Sequence, residues 1–448
     1  MPPNGPHPQA LFSLEPLNKR ARSVLAHSRN AHLVSSFCPN PSNPNFTVQG
    51  LEIGFHTRPT SGYILATIGR NGDIKIGNSA VSDPHCSFKL HGQNNEEVML
   101  QDQSKDNTTQ PSGLEEKTFS IRHPHRSVLI DREINQQFGI GGTACDLYEF
   151  KIHWHNVEEH MLRQYIDNKV GNPSHARTVA DEPPTSVSFH PFPPIRYSER
   201  QKLGRGAFGS VRKVVNVDTG EYLAMKRVVR PLAQVAYAMM RREVDLLSLV
   251  SHRNIIELIT FQETNDGYFE IFMPVKTGSV QSLIIKKEPF TTEPASARPL
   301  LHQMLQALDC LNSHDIIHRD VKPDNILYTP LPDGKYLYQL ADFGLANTVG
   351  LARTEAGSDM YMAPEIRRMT GQPQTTKMDI WSLFVTLAYA MDADGFREKL
   401  QGKDYLERLG VIREVANGDM LRGLRDMAIE EPDDRATAGD MLETLFDG

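Results

Sequence analysis

The stretch "IIHRDVKPDNIL", residues 316–327, decides how the second half of this chain is interpreted. It places Asp320, Lys322 and Asn325 within six positions, between apolar neighbours. An aspartate can accept a proton from a hydroxyl, a lysine can neutralise charge on a transferring phosphoryl group, and an asparagine oxygen can bind a cation. The stretch is therefore typical of a site that handles phosphate, with a solvated surface loop as the alternative at this point.

The bulk composition indicates a globular chain of two or three domains. Its 448 residues are 39% hydrophobic and 23% charged, and the net charge of -7 offers no basic excess for binding nucleic acid. The longest apolar run, residues 380–391, is too short to span a bilayer. Its four cysteines form no CxxC pair, so we predict reduced thiols in a cytoplasmic or nuclear protein.

Periodicity and proline content divide the chain into four parts. Residues 1–45 are rich in Pro, Asn and Ser without a sustained period, and we expect them to be disordered. Residues 46–155 alternate apolar and polar positions between turn clusters, which predicts an all-β sandwich. Residues 156–195 are predicted to be a linker because of their repeated prolines. Residues 196–448 mix strand-like and helical patterns and form the remaining domain.

Three glycines in "LGRGAFGSV", namely Gly204, Gly206 and Gly209, form a second candidate element of the phosphate site. Glycines let a backbone approach a phosphate closely, but the same spacing can open a dinucleotide-binding fold. That fold requires an acidic residue about 20 positions later, whereas this chain has Lys226 in a strand-like segment. A half-buried lysine needs a partner, and Glu243, in a helical pattern, is predicted to supply it.

A further carboxylate lies in "LADFGLA", residues 340–346. Asp342 and Asn325 supply oxygen ligands suited to Mg²⁺, which bridges phosphate oxygens. Transfer of a phosphoryl group to a hydroxyl needs positioning and charge stabilisation more than covalent help. With Lys226, these residues predict a site for a phosphoanhydride and Mg²⁺.

Seven short motifs follow one another in order from about residue 197 to 446. They are GxGxFGxV (204–211), AMK (224–226), HRDVKPDN (318–325), DFG (342–344), YMAPE (361–365), DIWSL (379–383) and EPDDRATAGDML (431–442). This series resembles the eukaryotic protein kinase domain. The resemblance implies an α+β bilobal fold, and the position of Lys322 is similar to that in serine/threonine kinases. Phe384 and Asp359 depart from the residues usual in that family.

The resemblance also implies roles for individual residues. It implies a catalytic set of Asp320, Lys322, Lys226 and Glu243, metal ligands Asn325 and Asp342, and nucleotide contacts at Leu203, Gly204, Gly206, Gly209, Val211, Ala224, Lys226 and Met273. Within these sets Asp320 is the catalytic base and Lys226 binds the α- and β-phosphates. Phe272 is placed at the back of the nucleotide pocket, and a buried ion pair is implied between Glu365 and Arg435.

Regulation is also implied, because Arg319 directly precedes Asp320. An arginine at this point can bind a phosphate on the activation segment and order that segment. We predict Thr354 as the phosphorylated residue, with Thr348 as the second choice. Ser358 fills the hydroxyl position that braces the catalytic aspartate in similar kinases.

The region 46–155 carries a sparser pattern, with Arg70 after a glycine and then Ser82 three positions before His85. An arginine near a hydroxyl can clamp phosphate, although both residue types are common in turns. The pattern resembles a forkhead-associated domain, a β-sandwich that binds phosphothreonine peptides. The resemblance implies that Arg70 and Ser82 contact the phosphate, while His85 braces the binding loop from inside.

The last part of this resemblance is imperfect. Where the forkhead-associated family has Asn-Gly-Thr, this chain has Asp106, Asn107 and Thr108. Asn107 can adopt the positive φ that glycine supplies, and it is included among the phosphopeptide contacts. Asp106 and Asp83 place carboxylates near the peptide. Either the match shifts in register by one residue, or binding is selective or weak.

These features together predict an ATP-dependent serine/threonine protein kinase that a phosphothreonine-containing partner recruits. The combination is similar to the checkpoint and meiotic kinases of fungi and animals, and by that likeness implies signalling in the cell cycle, DNA damage or another stress. A pseudokinase adaptor is the alternative, although Lys226, Asp320 and Asp342 are all present. A sandwich that holds partners without reading phosphate is the other alternative.

Overall fold

The structure is a computed structural model of the chain. It describes residues 5–446 apart from 41, 44, 59–61, 92–95, 114–115, 121–125, 171–193, 207–208, 249, 292, 343–359 and 368–373. The chain divides into two compact units. The first consists of Met1–Gln201 with Lys213–Leu223, and the second of Lys202–Arg212 with Ala224–Gly448.

Two β-sheets form most of the first unit. Their strands are β1 (Ala10–Pro16), β2 (Val34–Phe37), β3 (Val48–Gly54), β4 (Ile64–Gly69), β5 (Ile74–Lys75), β6 (Cys86–His91), β7 (Glu97–Asp102), β8 (Thr109–Ser112), β9 (Ser127–Ile130), β10 (Gln137–Ile140) and β11 (Tyr148–Trp154). One sheet has the order β2-β3-β1-β11-β10-β8 and the other β5-β4-β6-β7-β9. Phe88 joins their buried faces, because its ring meets Phe12 and Phe138 edge-on at 5.2 and 5.6 Å. The β-rich architecture predicted for this region is confirmed.

The expectation of disorder in residues 1–45 is wrong for most of that segment. Strand β1 is central in its sheet and pairs with β3 and β11, and helix α1 (Lys19–Leu25) follows it, capped by the Asn18 side chain. Phe12 and Leu14 are fully buried, because alternate positions of β1 point into the sandwich. The prolines and asparagines around this short alternating segment hid it from a composition-based prediction.

The predicted linker at 156–195 also contains ordered structure. Helix α2 (Glu159–Val170) occupies its first part, and the rest of the Pro-rich stretch, 171–193, lies outside the described residues. The Lys169 ammonium donates to the Arg58 carbonyl at 2.6 Å, and the Tyr165 ring lies 5.4 Å from Phe55. Helix α2 therefore packs on the sandwich and belongs to it.

The region from Tyr197 onward combines sheets with helices. Its strands are β12 (Tyr197–Gly206), β13 (Gly209–Asn216), β14 (Tyr222–Val229), β15 (Thr260–Glu263), β16 (Tyr268–Pro274), β17 (Gly278–Ser279), β18 (Ile326–Pro330) and β19 (Tyr336–Leu340). Its helices are α3 (Gln234–Leu247), α4 (Val280–Lys286), α5 (Pro294–Asn312), α6 (Pro364–Arg367), α7 (Lys377–Met391), α8 (Phe396–Lys399), α9 (Tyr405–Asn417) and α10 (Ala438–Phe446). The strands form one five-stranded sheet, β12-β13-β14-β16-β15, and one three-stranded sheet, β17-β18-β19. This mixture agrees with the predicted α+β class.

Helix α7 lies at the centre of the helical core. Nearly all its side chains are buried, including Trp381 and Phe384, which are fully buried. Phe384, where the resemblance leads one to expect glycine, fills core volume. Among the described residues, no helix is both long and apolar enough to cross a membrane.

The predicted ion pair between Glu365 and Arg435 is confirmed. The guanidinium donates to both carboxylate oxygens at 2.7 and 2.9 Å. Its remaining N–H groups donate to the carbonyls of Ile429, Lys377 and Glu430. Arg435 is 1% exposed, and all five of its donors are satisfied, as a buried guanidinium requires.

Candidate functional site

The stretch 316–327 is held in place by helix α7. The Asp379 carboxylate accepts the backbone N–H groups of His318 and Arg319 at 2.7 and 2.8 Å. Asp379 is buried, and burial raises its pKa to about 7 against the opposing effect of these two hydrogen bonds. Sequence reasoning assigned Asp379 no role. An acidic residue directly before the apolar run 380–391 was the signal that could have identified it.

His318 ties this stretch to the strand that precedes Asp342. Its Nδ1 accepts the Asp320 N–H at 3.3 Å, so Nε2 carries the proton and donates to the Ala341 carbonyl at 3.0 Å. A single neutral tautomer satisfies both contacts. Burial lowers the pKa of His318 to about 4, which keeps the ring neutral at physiological pH.

Asp320, Lys322 and Asn325 form one hydrogen-bonded cluster. Oδ2 of Asp320 accepts from the Lys322 ammonium at 2.7 Å and from the Asn325 carboxamide nitrogen at 2.8 Å. The same nitrogen donates to the Asp320 carbonyl at 2.8 Å. The nitrogen end of Asn325 is therefore committed to Asp320, and its oxygen is the end that can bind a cation.

Lys226 and Asp342 meet directly. The Lys226 ammonium contacts Oδ1 of Asp342, and the lysine is 6% exposed. The Ala341 N–H donates to the Asn325 carbonyl at 2.8 Å, which places the Asp342 backbone beside Asn325. Residues 116 positions apart in the chain are thus brought together. Glu243 lies on α3, but its side chain is outside the described residues, so its pairing with Lys226 stays a prediction.

Two residues of this cluster have a left-handed backbone. Arg319 has a φ of 70° and Asp342 a φ of 62°, values that are uncommon for residues other than glycine. The hydrogen bond from the Arg319 N–H to Asp379 supports the first of these conformations. Strained backbone of this kind concentrates at functional sites.

The glycine loop is described in part. A Cβ on Gly209 would lie 1.9 Å from the Arg227 carbonyl oxygen, at a φ of 155°, so close approach to β14 is one reason for a glycine here. Gly204 has open space around it, and Gly206 ends β12. Four other residues are predicted to contact the nucleotide. Ala224 is buried, whereas Leu203, Val211 and Met273 are partly or fully exposed. Phe272 is fully buried on β16.

The predicted regulatory residues are less completely described. Thr354, Thr348 and Ser358 lie outside the described residues. Arg319 is described, and its buried Nε has no hydrogen-bond partner in that part of the chain. A buried guanidinium N–H without a partner costs free energy, and a phosphate is one group that could satisfy it.

In the sandwich, His85 joins the loops that carry the predicted phosphopeptide contacts. It is fully buried; its Nδ1 accepts the Ser82 N–H at 3.0 Å, and its Nε2 lies 3.1 Å from the Thr108 carbonyl oxygen. A Cβ on Gly69 would lie 2.9 Å from the Ser82 carbonyl oxygen, so the glycine before Arg70 permits this close approach. The structure thus brings Arg70, Ser82 and His85 together.

Sequence reasoning missed two cationic residues near these loops, Lys105 between β7 and β8 and Arg126 directly before β9. The exposed Lys105 donates its backbone N–H to the Ser82 hydroxyl at 3.2 Å. Arg126 donates to Asp102 at 2.8 Å and to the Asn107 carbonyl at 3.2 Å. Asn107 is exposed with a φ of 55°, the left-handed conformation expected of it.

Asp83 is engaged within its own loop. Both of its carboxylate oxygens accept N–H groups of Asn71, from the backbone at 2.8 Å and from the side chain. These hydrogen bonds hold the pKa of Asp83 below its ordinary value. The Asp83 side chain therefore shapes the loop that follows Arg70.

Comparison with known proteins identifies the second half of the chain. Residues 197–444 match the protein kinase domain family. Mitogen-activated protein kinase kinase kinase ANP1 of Arabidopsis thaliana is 36% identical over 220 residues, which cover 46% of this chain and 32% of that protein. A probable myosin light chain kinase of Dictyostelium discoideum is 29% identical over 193 residues, covering 42% and 48%. Serine/threonine-protein kinase DCLK2 of Mus musculus is 34% identical over 188 residues, covering 42% and 24%.

The family match spans more than half of the chain, and the chain therefore belongs to the protein kinase domain family. The kinase domain is similar to those of relatives named as serine/threonine-protein kinases, among them DCLK2 and a probable one of Dictyostelium discoideum. The chain spans less than half the length of each of the relatives named above.

Proposed function

We propose that this chain is an active protein kinase that transfers the terminal phosphoryl group of ATP to serine or threonine hydroxyls of other proteins. The observation that carries the proposal is the convergence of Lys226 with Asp342 and of Lys322 and Asn325 with Asp320. Protein kinase domains use ATP with a divalent cation, and we propose Mg²⁺ for this chain.

Each residue of the cluster has a role in this proposal. Asp320 orients the substrate hydroxyl and accepts its proton, while Lys322, bonded to the same carboxylate, neutralises charge on the transferred group. Lys226 binds the α- and β-phosphates and shifts to them from Asp342. The carboxylate of Asp342 and the carboxamide oxygen of Asn325 are hard oxygen donors that fit Mg²⁺. That ion supplies neutralisation of phosphate charge when it is bound.

Replacing Asp320 by Asn tests the proposal. The change preserves shape but removes the base, so we expect phosphate transfer to a generic substrate protein to fall at least about a hundredfold. ATP binding, measured by calorimetry, is expected to persist. An absence of transfer by both proteins would favour the pseudokinase adaptor, and equal measurable transfer by both would contradict the role of Asp320.

The same assay tests Thr354→Ala. This change is expected to slow the onset of activity without lowering ATP affinity, because Thr354 is the proposed activation-segment phosphosite.

We infer that the sandwich is a forkhead-associated reader of phosphothreonine in partner proteins. Support comes from the loops joined by His85, where the Arg70 backbone N–H donates to the Ser82 carbonyl at 3.3 Å and the Lys105 backbone N–H to the Ser82 hydroxyl at 3.2 Å. Two cations beside a hydroxyl suit a dianionic phosphate. A reader of this kind recruits the kinase to a phosphorylated partner and raises its local concentration there. A signalling role in the nucleus or cytoplasm is proposed on that basis.

Replacing Arg70 by Ala tests the reader. We expect a phosphothreonine peptide library to bind the full chain, and Arg70→Ala to weaken the tightest peptide at least about tenfold. Arg163→Ala is the matched control, because Arg163 lies on the exposed face of α2 in the same unit. If phosphorylated and unphosphorylated peptides bound equally, the sandwich would hold partners without reading phosphate.

A further inference from the structure

A buried carboxylate of the sandwich is bound by residues from the start of the kinase-family region. Glu97, the first residue of β7, is 7% exposed. It accepts Nε and Nη2 of Arg200 at 2.8 and 2.9 Å, one on each oxygen, and the Tyr222 hydroxyl at 2.7 Å. Arg200 lies on β12 and Tyr222 begins β14, and all three residues belong to the first compact unit.

A second carboxylate completes the cluster. Asp131 accepts Nη2 of Arg200 at 2.9 Å and the Ser198 hydroxyl at 3.3 Å, and Nη1 of Arg200 donates to the same hydroxyl at 2.7 Å. Burial alone would lower the pKa of Arg200, but the hydrogen bond and charge of Glu97 raise it above its ordinary value. Burial and Glu97 also raise the pKa of Tyr222. Each charge in the cluster therefore has a hydrogen-bonded counterpart, as buried charges require.

The hairpin between β13 and β14 also contacts the sandwich through its backbone. β9 is the edge strand of its sheet, and its Leu129 N–H donates to the Val217 carbonyl at 2.8 Å. Gly220 has a φ of 75°, and a Cβ there would lie 3.0 to 3.1 Å from His91 and Met99. The hairpin between β13 and β14 thus pairs with a sheet edge and fits closely against its side chains.

We propose that the sandwich binds the opening strands of the kinase-family region through a built intramolecular interface centred on Glu97 and Arg200. The covalent link through the Pro-rich stretch at 171–193 is then not needed to keep the sandwich bound to these opening strands. The interface has a bidentate buried ion pair, a buried phenol contact and an edge-strand hydrogen bond, whereas exposed pairs such as Arg163–Glu159 contribute little. This proposal does not depend on the kinase or reader activities.

Cutting the chain within the Pro-rich stretch tests the interface. A protease recognition sequence is inserted between Ser186 and Val187 of the full chain, which is cleaved and then passed through a size-exclusion column at micromolar concentration. We expect the two pieces of the otherwise unchanged chain to elute together. Glu97→Gln keeps the size of the side chain but faces Arg200 with an amide, so we expect association at least about thirtyfold weaker and two separate peaks.

Glu96→Gln is the matched control, because it removes the same charge one position away at an exposed residue. Its pieces are expected to elute together. Should Glu97→Gln lower expression or the circular dichroism signal, Arg200→Gln tests the same contact from the other piece. Separation of the otherwise unchanged pieces, or co-elution of both Glu97→Gln and Arg200→Gln pieces, would overturn the proposal.

Discussion

Two buried histidines, His318 and His85, fix loops by the same device at the scale of single residues. In each ring Nδ1 accepts a backbone N–H and Nε2 faces a backbone carbonyl. Only a neutral ring with its proton on Nε2 makes both hydrogen bonds. Each histidine thereby joins two chain segments at a predicted site, over 23 positions in both cases.

The low pKa of His318 predicts how stability depends on pH. Because burial lowers this pKa from the ordinary value to about 4, the unfolded chain binds a proton first as pH falls. The stability that the neutral ring contributes is complete above about pH 6.5 and is lost between there and pH 4. We expect that loss to be about 2 to 3 kcal/mol by pH 4.5.

The pH dependence that His318 contributes is measured by comparison with a variant that lacks it. The comparison is needed because Asp379 changes the stability in the opposite direction as pH changes. Its raised pKa, about 7, makes the fold lose stability as pH rises from about 4 to 7. Subtracting the unfolding free energy of His318→Gln from that of the parent isolates the histidine. With Trp154→Phe in both proteins, fluorescence reports Trp381 alone, since the chain has two tryptophans. A difference that stays constant between about pH 4.5 and 7.5 would contradict the assignment.

At the scale of elements, the sequence predicted best where a short motif carries its own chemistry. Lys322 contacts Asp320, and Lys226 contacts Asp342. The catalytic and metal-binding roles that the motifs assign to these residues stay predictions. Local periodicity was a weaker guide. Composition predicts disorder at β1 and a linker at α2, because both adjoin stretches rich in proline. Their burial depends on partners far along the chain.

Other contacts made by tertiary packing could not be predicted from local sequence patterns. Asp379 is separated by about 60 positions from the backbone groups it binds, and no local pattern identifies those groups. Gly209 was assigned to phosphate binding, yet the Arg227 carbonyl also requires a glycine there. A glycine suits both phosphate binding and close backbone packing, so the sequence alone cannot distinguish the two roles at Gly209.

At the scale of the whole molecule, individual strands pass from one compact unit into the other. The first residues of β12 and β14 belong to the first unit, and the remainder of each strand belongs to the second. Arg200 lies four positions before Gly204, and Tyr222 lies four positions before Lys226. The strands that contact Glu97 are therefore the ones that carry the proposed phosphate-binding residues.

This continuity predicts that the Glu97 interface influences ATP binding. Glu97→Gln releases Arg200 and Tyr222 and so frees the first residues of β12 and β14. We therefore expect it to raise the Kd for ATP about fivefold. This factor is at the lower end of the couplings measured between distinct sites. Calorimetry on the uncleaved chain measures it, with Glu96→Gln as the control that keeps the parent Kd. Because coupling is reciprocal, saturating ATP is expected to tighten the association of the cleaved parent pieces by the same factor. An unchanged Kd in Glu97→Gln would mean that the interface holds the sandwich in place without affecting the nucleotide site.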